Sequence, residues 1–332
     1  MTTDTQDPRS VLRNAVSVAI MAPSSHNSQP WRFRIHGDAL ELYADHTRNL
    51  KVIDAERRQQ IQSCGCALFN ARIAIRAMGY VDEVTIIAVD RASPDHLATI
   101  RLGAPHTTTP LEQTLMQAIA LRRTNRRSFL PRPIPPADAE LFATVAEEQG
   151  ATLVRLLPDD KRVLGTLVEQ ADELQYGDPA FREELSHWLI PIGSRRKDGI
   201  PFVEKEYGSN MPFAVMRALR SPELGEKFGS AEEALIQGSP FVAILGTASD
   251  DPTAWVACGE ALEAVLLHAT ARGLSASFLN QALEVPGFRS RVAELAPQVG
   301  HPQMVFRLGV PSEPIHHAAP RRDVSDVLVE DP

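Results

Sequence analysis

Residues 63–68, Ser-Cys-Gly-Cys-Ala-Leu, recur 194 positions later as residues 257–262, Ala-Cys-Gly-Glu-Ala-Leu. A second pair, Ile-Arg-Leu-Gly-Ala-Pro at 100–105 and Phe-Arg-Leu-Gly-Val-Pro at 306–311, is separated by 206 positions. The conserved order and spacing of these matches indicate two related copies within one chain. Their period far exceeds the roughly 20 to 50 residues of a solenoid repeat. We therefore interpret the chain as a fused homodimer, in which each copy can lose half of the two original sites.

Apolar periodicity and turn residues predict helices and strands that alternate unevenly, which is typical of an α+β fold. Two short strands at 31–36 and 39–44 are expected around a turn at Gly37. A long helix is expected over 54–78, with Asp54 as its N-cap. Further helices are expected at 11–22, 136–149, 160–174, 179–189, 253–272 and 288–296, and further strands at 83–89, 97–102, 241–246, 275–279 and 303–309.

The Pro- and Thr-rich residues 104–110 are the best candidate for a linker. They divide the chain into a first half at 1–108 and a second half at 109–332. Within the second half, residues 176–236 are irregular and mix Gly, Pro, Arg and Lys. Long irregular segments in compact folds often act as lids. We therefore predict a lid-like insertion there, with apolar anchors at Trp188, Phe202 and Phe213.

The overall composition narrows the functional classes. The net charge is −8, which argues against broad nucleic-acid binding because that needs a basic surface. Residues 1–10 lack the basic segment and apolar run of a signal peptide, and no apolar stretch is long enough to span a bilayer. Cys64, Cys66 and Cys258 form no disulfide framework, and Cys64-Gly65-Cys66 lacks the second pair of a zinc site. We expect a cytoplasmic protein with no metal and no nucleic-acid or membrane partner.

Residues 22–31, Ala-Pro-Ser-Ser-His-Asn-Ser-Gln-Pro-Trp, occur only in the first half. Pro23 ends a predicted helix and Pro30 opens a predicted strand, so short hydrogen-bonding side chains are concentrated on a constrained loop. Such a loop suits a polar planar ligand, and the alternative is an ordinary capped loop.

Residues 122–127, Arg-Arg-Thr-Asn-Arg-Arg, occur only in the second half. Five arginines lie within 122–132 with no acid among them. Because packed guanidinium groups repel one another, this cluster favours an anion, and Arg and Thr both complement phosphate oxygens. The alternative is a solvated basic face. Arg321 and Arg322 add a further cationic element beyond the last predicted strand.

These motifs together resemble those of the nitroreductase family of FMN enzymes. Residues 23–31, Pro-Ser-x-x-Asn-x-Gln-Pro-Trp, resemble its signature loop. Residues 122–126 resemble its Arg-x-Ser-x-Arg motif, with Thr in place of Ser. Residues 307–311, followed by Arg321 and Arg322, look like its C-terminal strand and phosphate-binding basic pair. The resemblance covers most of the chain. Within the family, the chain is similar to the duplicated, single-chain Acg-like subgroup.

The resemblance implies a nitroreductase-like fold whose two fused, pseudo-symmetric halves mimic the family homodimer. In family dimers each FMN lies at the subunit interface, between the arginine motif of one subunit and the Pro-Ser loop of the other. Here each motif occurs once, in opposite halves. This arrangement implies one complete FMN site at the seam, in a pseudo-dimer that can be monomeric.

Roles for the site residues follow from the same resemblance. Arg122, Arg321 and Arg322 would neutralise the FMN phosphate, and Thr124 would donate to ribityl or phosphate oxygens. Arg126 matches the family cation near flavin N1 and the C2 carbonyl, where it would stabilise the reduced flavin. The other expected cofactor contacts are Ser24, Ser25, Asn27, Ser28, Gln29, Pro30, Trp31, Arg123 and Asn280.

Several of these residues have a second interpretation. Trp31 could equally be core or edge packing. Gln29 could fix the loop. Asn280 enters only through its backbone, which could approach flavin N5. His26 could donate a proton beside a flavin, but a hydrogen-bonded structural histidine is the commoner case and is favoured here.

The resemblance implies an NAD(P)H-dependent oxidoreductase of the nitroreductase or quinone-reductase type. Hydride would pass from NAD(P)H through flavin N5 to a small-molecule electron acceptor. No Gly-x-Gly-x-x-Gly turn reads the nicotinamide independently. The alternative is an FMN-binding or FMN-sequestering protein with little reductase activity, in which residues 176–236 cover the flavin. A weaker third interpretation is a nucleotide or phosphate sensor without a flavin.

Overall fold

The computed structural model describes five segments of the chain, which hold two main β-sheets and the helices around them. Several helices begin at a proline, because its fixed φ suits the first helical position and its missing N–H is not needed there. The described segments are residues 7–87, 95–191, 193–201, 233–314 and 318–330. The helices discussed here are α1 (Pro8–Ala19), α2 (Arg58–Ala77), α3 (Pro110–Leu121), α4 (Pro136–Glu147), α5 (Pro158–Gly177), α6 (Pro179–Trp188), α7 (Pro252–Thr270), α8 (Gln281–Glu284), α9 (Phe288–Leu295) and α10 (Val324–Val327).

The start of α2 differs from the prediction. The helix begins at Arg58 rather than at residue 54, because Arg57 takes a left-handed backbone with φ 66°. The Asp54 carboxylate still acts as a cap: it accepts hydrogen bonds from the backbone N–H groups of Gln59 and Gln60 at 3.0 and 2.8 Å. The predicted N-cap and helix start are therefore wrong by one turn: Arg57 is the N-cap residue, and Asp54 accepts the first-turn N–H groups from outside the helix.

The first sheet is built from the first half of the chain and closed by its last strand. β1 and β2 are the hairpin that the sequence predicts, with Gly37 at φ 59° in the turn. Side chains along β1 alternate between buried and exposed, as expected of a strand with one face on a core. The strands are β1 (Trp31–His36), β2 (Ala39–Ala44), β3 (Tyr80–Ile86), β4 (His96–Pro105) and β11 (Leu328–Glu330), in the order β11-β1-β2-β4-β3.

The second sheet is built from the second half. All seven residues of β8 are buried, so this strand is covered on both faces. A separate two-stranded pair lies in the predicted lid-like insertion. The strands are β5 (Thr152–Arg155), the pair β6 (Leu189–Ile190) and β7 (Ile200–Pro201), β8 (Phe241–Thr247), β9 (Ser275–Phe278) and β10 (His301–Gly309), with the sheet order β5-β8-β10-β9.

The two sheets share one strand order. β1-β2-β4-β3 in the first corresponds to β5-β8-β10-β9 in the second, and every neighbouring pair within these sets is antiparallel. In each half one long helix follows the second strand of the set and leads to the last one: α2 connects β2 to β3, and α7 connects β8 to β9. Residues 100–105 lie in β4, and their matches begin in β10. The sequence repeat therefore falls on equivalent elements.

The two long helices cross at the repeated glycines. A Cβ added to Gly65 would lie 2.9 Å from Gly259 Cα and would overlap the Val256 carbonyl. A Cβ added to Gly259 would lie 2.8 Å from Gly65 Cα and would overlap the Gln62 carbonyl. The contact is reciprocal, since Gln62 and Val256 occupy the same position in the two copies. Reciprocity of this kind defines an isologous interface.

Residues of both predicted halves contribute to one hydrophobic core. The largest buried cluster includes Leu68 on α2, Phe142 on α4 and Val265 on α7. The C-terminal strand β11, assigned to the second half, pairs in parallel with β1 of the first. Residues from opposite ends of the chain therefore meet at the same place, which positions the site described below.

Two further findings concern the sequence expectations. Among the described residues, no helix is long and apolar enough to cross a membrane. Cys64, Cys66 and Cys258 are all buried free thiols. Cys66 Sγ lies 3.2 Å from the Gly259 carbonyl oxygen, so the cysteines are packing residues at the helix crossing.

Candidate functional site

The loop that follows α1 has an unusual backbone. His26, Asn27 and Gln29 all have positive φ, at 53°, 52° and 49°. Residues with side chains avoid this region, and each such residue costs about 1–2 kcal/mol. The Ser24 hydroxyl accepts from the Gln29 N–H at 2.9 Å and so holds the loop together. Strain concentrated in one polar loop is typical of functional sites.

The side chains of this loop are held by two segments of the second half. Asn27 Nδ2 donates to the carbonyl oxygens of Gly199 and Pro320, both at 3.0 Å. Gln29 Nε2 donates to the Lys197 carbonyl at 2.7 Å, and Gln29 Oε1 accepts from the Arg322 N–H at 2.8 Å. Both amides are therefore occupied by the protein itself, and Gln29 fixes the loop.

The predicted cations Arg122 and Arg321 meet beside this loop. Arg122 Nη2 and Arg321 Nη2 donate to the same acceptor, the Met21 carbonyl, at 3.3 and 3.1 Å. Arg321 Nη1 also donates to Asn27 Oδ1 at 3.1 Å. Burial and the nearby Arg122 lower the pKa of Arg321 to about 9. The structure thus brings an arginine from each of two distant segments against the end of α1.

A buried carboxyl group faces these two arginines. The Glu263 side chain is fully buried on α7, and its Oε1 lies 3.7 Å from Arg122 Nε. Burial raises the pKa of Glu263 to about 7, although Arg122, Asn70 and Arg321 oppose the shift. Among the described residues, no acceptor hydrogen-bonds the Nε atoms of Arg122 and Arg321. The two arginines therefore have buried Nε donors without acceptors, and among the described residues Glu263 is the only acid that faces them.

Arg123 and Thr124 follow Arg122 along the same loop. Arg123 Nη1 donates to the carbonyl oxygens of Ala120 and Arg122, at 2.9 and 2.8 Å. Its pKa is lowered by burial and by Arg122. Thr124 forms a parallel bridge with Ala276 in β9, so the loop is held against the edge of the second sheet.

Arg126 lies close to His26 of the other half. Burial and the Arg126 charge lower the pKa of His26 to about 4, which makes this imidazole neutral at pH 7. In the part of the chain that the structure describes, Arg126 makes no hydrogen bond or ion pair of its own. A cation without an acceptor and a neutral histidine thus face each other across the seam.

Arg307 supports the arginine loop from below. This residue of β10 is fully buried, and its Nη2 donates to the Arg127 carbonyl at 3.0 Å. Its guanidinium lies over the Phe129 ring at 4.6 Å. The motif at 307–311 predicts no role for Arg307, whereas the structure shows that this side chain fixes the backbone of the loop.

Ser25 belongs to a buried polar chain. Its hydroxyl donates to Gln59 Oε1 at 2.6 Å, and Gln59 Nε2 donates to Glu284 Oε1 at 2.7 Å. Gln175 Nε2 donates to the other Glu284 oxygen at 2.7 Å. Burial raises the pKa of Glu284. These hydrogen bonds connect the first-half loop to α8 in the second half, and no sequence motif predicts them.

Several predicted cofactor contacts lie elsewhere. Trp31 is fully buried in the main core, which favours the core-packing interpretation of this residue. Ser28 and Pro30 are also buried. The Asn280 side chain accepts from the Val305 N–H at 3.0 Å, and no hydrogen bond joins Asn280 to the other predicted site residues.

The predicted lid-like insertion is described only in part. Residues 202–232, which include the predicted anchors Phe202 and Phe213, lie outside the described residues. The third anchor, Trp188, packs in a small apolar cluster with Leu50 and Ile53 of the first half.

An ion pair to the first half holds the segment at 197–199, in addition to its hydrogen bonds with the 24–29 loop. Arg48 pairs with Asp198, and both side chains are less than a fifth exposed. Despite burial, hydrogen bonds from Arg48 and Arg196 lower the pKa of Asp198. The same segment receives the amide hydrogen bonds of the 24–29 loop, so it lies directly against the predicted site.

Sequence reasoning missed Glu263, Gln59 and Glu284. Glu263 did carry a signal, since acids are rare in the apolar sequence of α7 and a buried acid needs a partner. Identifying Arg122 as that partner requires the crossing geometry of the helices.

The described residues form an α+β fold that brings a polar loop of the first half close to an arginine cluster of the second half. No family model matches the chain. It is 31% identical over 321 residues to "Putative NAD(P)H nitroreductase Rv3131" of Mycobacterium tuberculosis, covering 96% of this chain and 90% of the relative. It is 30% identical over 341 residues to "Putative NAD(P)H nitroreductase acg" of the same organism, covering 98% and 97%. The chain belongs to the nitroreductase-like family.

The structural comparison gives a more distant similarity. A crystal structure of iodotyrosine deiodinase, bound to FMN and 3-iodo-L-tyrosine, is 16% identical and covers 63% of this chain and 95% of its own, with a TM-score of 0.41. A similarity this low does not bear on the site.

Proposed function

We propose that this chain is an FMN-binding oxidoreductase of the NAD(P)H nitroreductase or quinone-reductase type, with one FMN at the seam between its halves. The observation that carries the proposal is the meeting of Arg122 and Arg321 beside Asn27. These residues lie far apart in sequence, yet the two guanidinium groups share the Met21 carbonyl, and Arg321 also contacts Asn27.

The arginine cluster fits the phosphate of such a cofactor. Buried Nε atoms of Arg122 and Arg321 lack acceptors among the described residues, and phosphate oxygens would supply them. Arg123 adds charge at the margin of the cluster, and Thr124 adds a hydroxyl. Among the described residues Glu263 is the only acid that faces the cluster, which leaves it with an excess of positive charge.

The remaining residues would surround the ring system. When bound, FMN supplies hydride transfer through its N5 between NAD(P)H and a small-molecule acceptor. Arg126, which has no acceptor among the described residues, would place positive charge near the ring and favour its anionic form. His26 stays neutral beside Arg126, so it would orient the ligand by hydrogen bonding rather than donate a proton at neutral pH.

Two observations test this proposal. The purified protein should be yellow and should release FMN on denaturation. Anaerobic mixing with NADH or NADPH should bleach the flavin promptly. A colourless protein that cannot be reconstituted with FMN would contradict the cofactor assignment.

A second candidate is an FMN-binding or FMN-sequestering protein with little turnover. The observation in its favour is that the backbone of 197–199 already holds Asn27 and Gln29. A segment docked there would restrict the approach of NAD(P)H to the ring. Flavin that dithionite bleaches but nicotinamides do not would select this candidate over the reductase.

The duplication accounts for a single site per chain. The shared strand order and the reciprocal Gly65–Gly259 contact support descent from a family homodimer by fusion. After fusion the first half kept only the Pro-Ser loop and the second half only the arginine motif. The chain would then function as a pseudo-dimer on its own.

A further inference from the structure

Glu263 stands out as a buried acid that the proposed chemistry does not use. Its side chain is fully buried on α7, where Arg122, Asn70 and Arg321 are the groups that oppose the effect of burial on its charge. Buried carboxylates are normally held by close ion pairs, whereas the nearest cation, Arg122 Nε, lies 3.7 Å from Glu263 Oε1.

The groups that face Glu263 come from several elements. Arg122 lies at the end of α3, and Arg321 lies in the segment before α10. From α2, the Asn70 amide and the Cys66 thiol face it, and burial raises the pKa of that thiol well above its usual value. Among the described residues, Glu263 is therefore the only acid that faces the arginine pair. Near pH 7 the two arginines remain charged, and the Asn70 amide and the Cys66 thiol remain neutral.

We propose that Glu263 is the internal counter-ion of the Arg122–Arg321 pair, and that binding of a phosphate monoester to this pair transfers a proton from solvent to Glu263. The proposal rests on the proposed function, because it takes the FMN phosphate as the anion. The added negative charge meets the same two guanidinium groups that stabilise the carboxylate. It therefore disfavours the ionised form of Glu263.

The proton balance is simple. The free protein carries a carboxylate, the ligand carries a dianionic phosphate, and the complex holds both groups with one proton added to the carboxylate. The pKa of Glu263 in the free protein is about 7, so at pH 8 nearly every molecule must take up that proton. Affinity should then fall as pH rises above 7, by about tenfold per unit in the limit.

The experiment is calorimetric titration of the wild-type chain, freed of flavin, with FMN at pH 8 in two buffers of different ionisation enthalpy. The phosphate is fully ionised at that pH, because its second pKa is about 6. We expect uptake of about one proton per FMN. Riboflavin, which has no phosphate, serves as the second ligand and should bind without uptake.

Two variants complete the test. Glu263→Gln should bind FMN about tenfold more tightly than wild type at pH 8, with no proton uptake and a flat pH profile, because it never carries the charge. Glu260→Gln is the matched control: Glu260 is also buried on α7 but pairs with Arg72, so proton uptake should persist. If Glu263→Gln fails to fold, the wild-type proton count still decides.

The outcomes are separable. FMN binding without proton uptake, or uptake that persists in Glu263→Gln, would overturn this inference and leave the proposed function standing. Failure of the wild-type chain to bind FMN at all would refute the proposed function and this inference with it.

Discussion

The crossing of α2 and α7 gives a sharp prediction for Gly65→Ala. The new methyl group would overlap the Val256 carbonyl and lie 2.9 Å from Gly259 Cα. These are backbone atoms, so no side chain can turn away to make room. Overpacking a tight contact costs about 1–3 kcal/mol, and the rigidity of both partners places this substitution near the upper end, at about 3 kcal/mol.

Urea unfolding followed by circular dichroism measures this cost directly. With a slope of about 3 kcal/mol per molar urea, the midpoint should fall by about 1 M. Gly177→Ala is the matched control, because Gly177 ends α5 with nothing within 4 Å of an added Cβ, and alanine there should be neutral or stabilising. If Gly65→Ala unfolds at the same urea concentration as Gly177→Ala, the close helix crossing is wrong.

Three further predictions concern the site. Arg122→Ala and Arg126→Ala should each weaken FMN retention by about 10- to 100-fold, from the loss of charge-assisted contacts, while circular dichroism shows an unchanged fold; retained flavin would contradict the site. Stability should fall as pH drops from about 6.5 toward 4, because His26 is neutral in the folded chain and protonated in the unfolded one; melting temperatures of His26→Gln should be less sensitive across this range, and an identical slope would contradict the assignment. Asp198→Asn should speed flavin reduction by NADPH in stopped-flow mixing, since it removes the pairing that holds 197–199 on the loop; an unchanged rate would exclude a blocking role for this segment.

Much of the fold follows from local signals in the sequence. The β1–β2 hairpin matches its predicted bounds, because alternating burial and Gly37 determine both strands and turn. Both copies of the repeat, residues 63–68 and 257–262, lie within the long helices that their apolar sequence predicts. The pairing of β11 with β1 was not predicted, because a three-residue strand carries too little pattern to reveal its partner.

Some residues of the candidate site could likewise be predicted from the sequence, and others could not. The sequence identifies Arg122 and Arg321 from their charge, and the structure places them together. It does not reveal that Trp31 is fully buried, since an aromatic residue beside a polar loop suits a core and a ligand site equally well. Nor can it reveal Glu263, whose importance depends on which face of α7 meets Arg122.

The number of FMN molecules bound per chain at saturation tests the central claim most directly. If the polar loop of the first half and the arginine cluster of the second half each occur once, they can form one complete FMN site. Titration of flavin fluorescence should therefore give one FMN per chain, weakened by either Asn27→Ala or Arg321→Ala. Two equivalent FMN molecules per chain, or a single one insensitive to either substitution, would contradict the account.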